Sequence, residues 1–314
     1  MVKRHHTTAA LAIALLLWIP ACSDDAGGGN VVDASTPTSD AWPAPRDDLV
    51  PRVGTDDAVD IATWNIENFP QLSTSPRFVA DLITSVELDL IGVEEIASVD
   101  AFNELVARLP NHSGVLSTHE YRPGEYQKLG FIYRDDYITL SDPVLLFEGD
   151  TYEFPRPPLQ VTVGINTGAT TVEFTAIVLH LKAGRDFSDR QRRTAALITL
   201  QAHVSDLVAA GTTDVLLLGD FNEELTTTGG MNVFAPFLDA PSSYNMRTQQ
   251  LEAVGGVSFP PTGAMIDHVI ATVGLDDEFN GTFAQISRLD QQFNGYGTAV
   301  SDHLPVIVSM PILQ

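Results

Sequence analysis

Several short apolar runs in this chain end abruptly in carboxylate, amide or imidazole residues. Val215-Leu216-Leu217-Leu218 leads into Gly219-Asp220-Phe221-Asn222, and the run from Leu88 to Val93 leads into Glu94-Glu95. Apolar runs of strand length without polar alternation suit strands covered on both faces, so the chain must fold in layers. Further strands are expected at Asp60–Trp64, Ser113–Ser117, Lys128–Tyr133, Val144–Phe147, Leu159–Ile165, Thr171–His180, Ala264–Thr272, Thr282–Ile286 and His303–Ser309. Helical spacing marks Phe78–Val86, Val99–Leu109 and Arg190–Ala209, and Thr226–Pro261 reads as a long, loop-rich excursion. Helices flanking a β-rich middle predict an α/β (α+β) fold with two sheets face to face and helices outside.

The first residues lie outside that fold. Lys3, Arg4, His5 and His6 precede an apolar stretch from Ala9 to Ile19, too short to span a bilayer comfortably, which reads as an export signal. It ends in Ile19-Pro20-Ala21-Cys22, which resembles a bacterial lipobox. That motif implies a signal peptide over residues 1–21, lipidation of Cys22 and attachment to a membrane of the cell envelope, or secretion without it. Cys22 is the only cysteine, so no internal disulfide can support the domain. Residues 22–57 are rich in Gly, Asp, Ser, Thr and Pro and read as a flexible tether; residues 58–314 form one domain, expected to be monomeric.

The formal net charge is −24, which repels nucleic acid at long range. A divalent cation and a local arginine cluster can offset that field, so the charge does not exclude a nuclease. Lys182, Arg185, Arg190, Arg192 and Arg193 form such a cluster; Lys182 and Arg185 are candidate substrate contacts, the alternative being a solvated helix start.

Asp220 and Asn222 follow their strand at period-2 spacing, so both side chains can meet one ligand. Asn65 ends the first strand, as either a turn residue or a site residue. Glu95 ends the run from Leu88 to Val93, either solvated or, beside other oxygen donors, a ligand for Mg²⁺, with Mn²⁺ or Ca²⁺ as alternatives. His180 ends another strand, as either a core histidine or a site residue. Asp267 interrupts an apolar strand, which is costly unless the carboxylate is paired; His303 is its natural partner, and His268 is expected to face the other way. Asp302 precedes His303 in Ser301-Asp302-His303-Leu304-Pro305.

Together the WN, EE, HLK, GDFN, IDH and SDHLP segments resemble the endonuclease/exonuclease/phosphatase superfamily from Ile61 to Met310. The resemblance implies a four-layer αββα sandwich with two mostly antiparallel sheets, and metal-dependent hydrolysis of phosphoester bonds. It implies metal-site roles for Asn65, Glu95 and Asp302, and catalytic roles for His180, Asp220, Asn222, Asp267 and His303. The division of acid and base roles between His180 and His303 stays open. Where the family usually has Gln then Glu, this chain has Glu94 then Glu95, and Gln127 stands where a carboxylate can orient the first histidine. Nucleic acid is the leading substrate; a phospholipid or small phosphomonoester, or phosphate binding without catalysis, are the alternatives.

Overall fold

The computed structural model describes residues 43–168, 171–226 and 231–312. Cys22 and the apolar stretch before it lie outside the described residues. The strands are β1 (Val59–Phe69), β2 (Leu90–Ile96), β3 (His112–Leu116), β4 (Lys128–Arg134), β5 (Ile138–Leu145) and β6 (Leu159–Asn166). They continue as β7 (Thr171–His180), β8 (Val215–Asp220), β9 (Tyr244–Met246), β10 (Asp267–Thr272), β11 (Gln285–Ile286) and β12 (Val306–Met310). The principal helices are α1 (Ser75–Val86), α2 (Val99–Arg108) and α3 (Phe187–Ala209).

Two six-stranded sheets form, with orders β11-β12-β1-β2-β4-β3 and β5-β6-β7-β8-β10-β9. Only β1–β2 and β7–β8 pair in parallel; the remaining ladders are antiparallel. Ile61, Phe131, Val163, Val178 and Leu218 fill the space between the sheets. One outer core packs α1 and α2 on the first sheet through Leu82, Ile83, Phe102 and Leu105. The other packs α3 on the second through Leu197, Leu200 and Val204. The result is the expected four-layer sandwich. Gly92 brings the sheets together, since a Cβ there would sit 3.0 Å from Leu218 Cδ1 and 3.1 Å from Val178 Cγ2.

Local departures have plain causes. Residues 43–57, tether-like in composition, lie against α1: Leu49 N–H donates to Ser85 Oγ and Val50 is buried. β5 starts earlier than expected because it is a sheet edge, half of whose residues are exposed, and it carries little apolar signal. The excursion after β8 contributes β9, three residues paired to β10.

Parallel pairing of β1 with β2 and of β7 with β8 places their C-terminal ends together. Antiparallel pairing sets Asp267, the first residue of β10, opposite Asp220, the last of β8. The polar strand ends therefore gather at one rim of the sandwich.

Candidate active site

Asp220 is the hub of that rim. It is buried, and its Oδ2 lies 3.1 Å from Asn65 Nδ2, 3.4 Å from His180 Nε2 and 3.7 Å from His303 Nε2. Its Oδ1 accepts the Asn222 backbone N–H at 2.8 Å. Burial pushes the Asp220 carboxyl up to about 7; Asp267 adds to this, whereas His303, Asn222 and Asn65 oppose it. His303 Nδ1–H donates to Asp267 Oδ2 at 2.9 Å, which fixes the ring so that Nε2 faces Asp220. Burial acts to lower the His303 value, but Asp267 and Asp220 outweigh it and raise it to about 10. His303 is therefore a held cation.

His180 behaves oppositely. It is buried, Nδ1 has no hydrogen-bond partner among the described residues, and Nε2 faces Asp220 and, at 3.8 Å, Glu95 Oε1. Burial, then Arg156 and His303, holds it well below the ordinary histidine value, so it is neutral.

Bent backbone builds the acidic side of the site. The β1–β2 register shifts after Asn65, the β2–β4 register shifts between Val93 and Ile96, and Glu95 has φ of 62°. A regular strand would point Glu94 and Glu95 to opposite faces. The bulge instead leaves Glu94 buried on Thr63 Oγ1 and swings Glu95 to the rim. Glu67, Asn68 and Asn222 also have positive φ, so four left-handed non-glycine residues surround this site.

Asn65 positions the acids around it. Its amide donates to Glu95 Oε1 and Asp220 Oδ2, and its oxygen accepts Glu67 N–H. Glu67 in turn accepts Asp302 N–H at 3.0 Å. Burial and then the Asp302 charge raise Glu67; burial and the Glu95 charge raise Asp302 against the opposing pull of His303. Among the described residues, none of Glu67, Glu95 and Asp302 forms an ion pair with lysine or arginine. Mutually repelling carboxylates whose one nearby cation is the His303 ring, 3.9 Å from Asp302 Oδ1, suit a hard divalent cation. Asp220, Asp267 and His303 also offer ligand atoms within 4.8 Å of one another. Both Asp267 oxygens face His303 Nδ1, however, so the carboxylate rim is the better fit.

The profile of the Endonuclease/Exonuclease/phosphatase family matches residues 62–303. The chain belongs to this family. Members of the Endonuclease/Exonuclease/phosphatase family hydrolyse phosphoester bonds. No curated protein matches the sequence. Among solved structures, the human Nocturnin catalytic domain with bound sulfate is similar at 17% identity and TM-score 0.60, covering 85% of this chain and 98% of that one. A mannosyl-6-phosphatase from Bacteroides thetaiotaomicron is similar at 16% identity and TM-score 0.55, covering 80% and 98%. D. rerio TDP2 with a single-strand DNA product gives 10% identity and TM-score 0.54, covering 80% and 98%.

Asn65, Glu95, His180, Asp220, Asn222, Asp267, Asp302 and His303 all reach this one rim of the family fold. Ser301 joins two of its loops, donating to Asn65 O at 2.6 Å and accepting His303 N–H. His268 is turned away, between Thr248 Oγ1 and the Glu223 carbonyl. Lys182 is tied to Asp189 and Ala183 O, while Arg185 is exposed. Gln127 does not orient His180; it donates to Asn68 and Glu95 and accepts Arg156 Nη2–H at 2.6 Å.

Three residues absent from the sequence reading join the site. Glu67 follows Asn65 at period-2 spacing, a signal that was legible. Arg156, in the turn before β6, hydrogen-bonds the neutral oxygens of Gln127 and Leu181 and lies beside His180 and Tyr121. Phe259 places its ring 4.7 Å from that of His303. Both come from irregular segments, where no periodicity predicts where a side chain goes.

Proposed function

We propose that this protein is a cation-dependent phosphodiesterase acting on nucleic acid at the envelope surface. The observation that carries the proposal is the placing of Asp220, a buried carboxylate with Oδ2 3.4 Å from His180 Nε2 and 3.7 Å from His303 Nε2 beside the Glu67, Glu95 and Asp302 rim. As a carboxylate, Asp220 accepts the proton of the attacking water. The His303 imidazolium, held by Asp267, faces the phosphoryl oxygens and offsets charge that develops on them. Neutral His180 donates through Nε2 towards the same phosphate, and Asn222 and Arg156 supply further donors. Glu67, Glu95 and Asp302 would hold Mg²⁺, Mn²⁺ or Ca²⁺, which supplies charge neutralisation at the phosphate and leaving oxygen. Two aromatic faces support the nucleic-acid reading, Phe259 beside His303 and half-exposed Tyr121 beside Arg156, because nucleobases stack on such platforms.

The test is a substrate panel for the purified domain: plasmid DNA, RNA, sphingomyelin, a sugar phosphate and bis(p-nitrophenyl) phosphate, each with Mg²⁺, Mn²⁺ or Ca²⁺. Cleavage of a nucleic acid that EDTA abolishes is expected. Metal-independent turnover, or no turnover of any phosphoester, would overturn the proposal; exclusive turnover of the lipid or sugar phosphate would reassign the substrate.

The surface location rests on the export-type leader and on Cys22. Cys22→Ser should move the protein from the membrane fraction to the soluble one. Unchanged partitioning would show that no acyl anchor forms at that residue.

A further inference from the structure

A cavity of about 290 Å³ opens beside Asn222, lined by Arg185, Arg190, Arg193, Thr262, Gly263 and the Glu223-Glu224 turn. Its wall is preformed. Buried Arg193 donates Nε and Nη2 to Glu223 Oε2 at 3.2 and 2.6 Å, and Nη1 to the carbonyls of Lys182 and Gly184 at 2.7 and 2.9 Å. That arginine therefore ties the loop after His180 to the loop after Asp220, and Glu223 is neutralised where it lies. Arg190 reaches Glu223 Oε1 at 3.3 Å, but its Nε is buried with no partner among the described residues. Arg185 is exposed and, among the described residues, has neither a hydrogen bond nor a carboxylate within 4.0 Å.

Three guanidiniums thus face two carboxylates, Glu223 and exposed Glu224, in a chain with 41 acidic and 17 basic residues. A local excess of positive charge against that background selects for an anion, and guanidinium forks match phosphate oxygens. Because Asn222 belongs to both the cavity and the Asp220 cluster, an anion held here is a near neighbour of the phosphate being cut. We infer that the cavity is a subsite for a second phosphate of the substrate, adjacent to the scissile one, with Arg185 and Arg190 as its donors. This inference rests on the phosphoesterase reading and deepens it. The preferred substrate carries at least two phosphates, in a nucleic-acid backbone or in a bisphosphorylated small molecule.

The experiment compares kcat/KM for a thymidine dinucleotide without terminal phosphates and for the same dinucleotide phosphorylated at its 5′ or its 3′ end. A hexose monophosphate and its bisphosphate form a second pair, and bis(p-nitrophenyl) phosphate serves as the one-phosphate reference. One phosphorylated dinucleotide should exceed the unphosphorylated one by about tenfold, the scale of one charge-assisted contact. Arg185→Gln, at an exposed position where folding is not at stake, and Arg190→Gln should each reduce that ratio, and the double variant should bring it near one. The same behaviour with the hexose pair alone would place the second phosphate in a small molecule.

A native ratio of one in both pairs, or a ratio that survives both substitutions, overturns the inference. Failure to cleave any substrate, the reference included, would instead defeat the phosphoesterase reading. Calorimetric binding of the dinucleotides then decides the subsite. Tighter, Arg185-dependent binding of a phosphorylated form supports it, and equal binding of all three overturns it.

Discussion

Asp220→Asn should lower kcat on a phosphodiester by roughly 10²–10⁴-fold, the usual loss when a positioned general base is removed. Asparagine keeps the shape and can still accept the Asn222 N–H bonded to Oδ1, but its NH₂ replaces the Oδ2 that accepts Asn65 Nδ2–H, and it cannot take a proton from water. The same substitution acts on stability in two opposing ways, losing the Asn65 hydrogen bond but relieving a buried charge above neutrality. The folded protein holds Asp220 at about 7, against 3.8 ordinarily, chiefly by burial and then by Asp267. A raised carboxyl favours folding below its unfolded value and loses that contribution as pH rises to about 7. Above neutrality the buried charge is therefore a burden that asparagine removes. Thermal unfolding with EDTA should show the Tm difference between variant and native protein moving in the variant's favour from about pH 5 to about pH 8. A variant that keeps kcat within tenfold would remove Asp220 from the base role, and one that loses the fold with its activity would make Asp220 structural.

The sandwich was legible because its buried strands are short apolar runs, as in β8 and β10, and few other arrangements cover both faces of such strands. The site was legible where polar residues end those runs at regular spacing, as Asp220, Asn222 and His180 do. Glu95 shows where that legibility stops. Adjacent acids on a strand should diverge, and only a backbone bulge brings Glu95 to the rim. Gln127 shows a second limit. Its neighbours are chosen by Arg156, which arrives from the turn before β6, and no local pattern reports that long-range choice. The basic cluster after His180 divides in the same way, since tertiary contacts bury Arg193 on Glu223 and leave Arg185 exposed.

Asp267→Asn should be about as damaging as loss of Asp220, and it should leave a distinct signature in pH. In the native protein, kcat/KM should rise as Asp220 loses its proton near 7 and fall as His303 loses its proton near 10. The two limbs belong to the interacting pair, and a bound cation shifts both downward, since it favours the carboxylate and disfavours the imidazolium. Asp267 supports the alkaline limb, because its charge and its hydrogen bond to Nδ1 oppose the effect of burial on His303. A neutral amide provides no such charge, and its NH₂ can face Nδ1 and select the wrong tautomer, a change that costs about 10⁴ in kcat in serine protease triads. The variant should therefore lose roughly 10²–10⁴ in rate. Its alkaline limb should move from about 10 towards or below the ordinary histidine value of 6.5. Rate profiles across the native limbs, at one fixed saturating cation concentration, measure both effects. An alkaline limb that stays in place while the rate falls would show that His303 is not the group that must remain protonated, and the cationic role would then pass to Arg156, whose charge persists across that range.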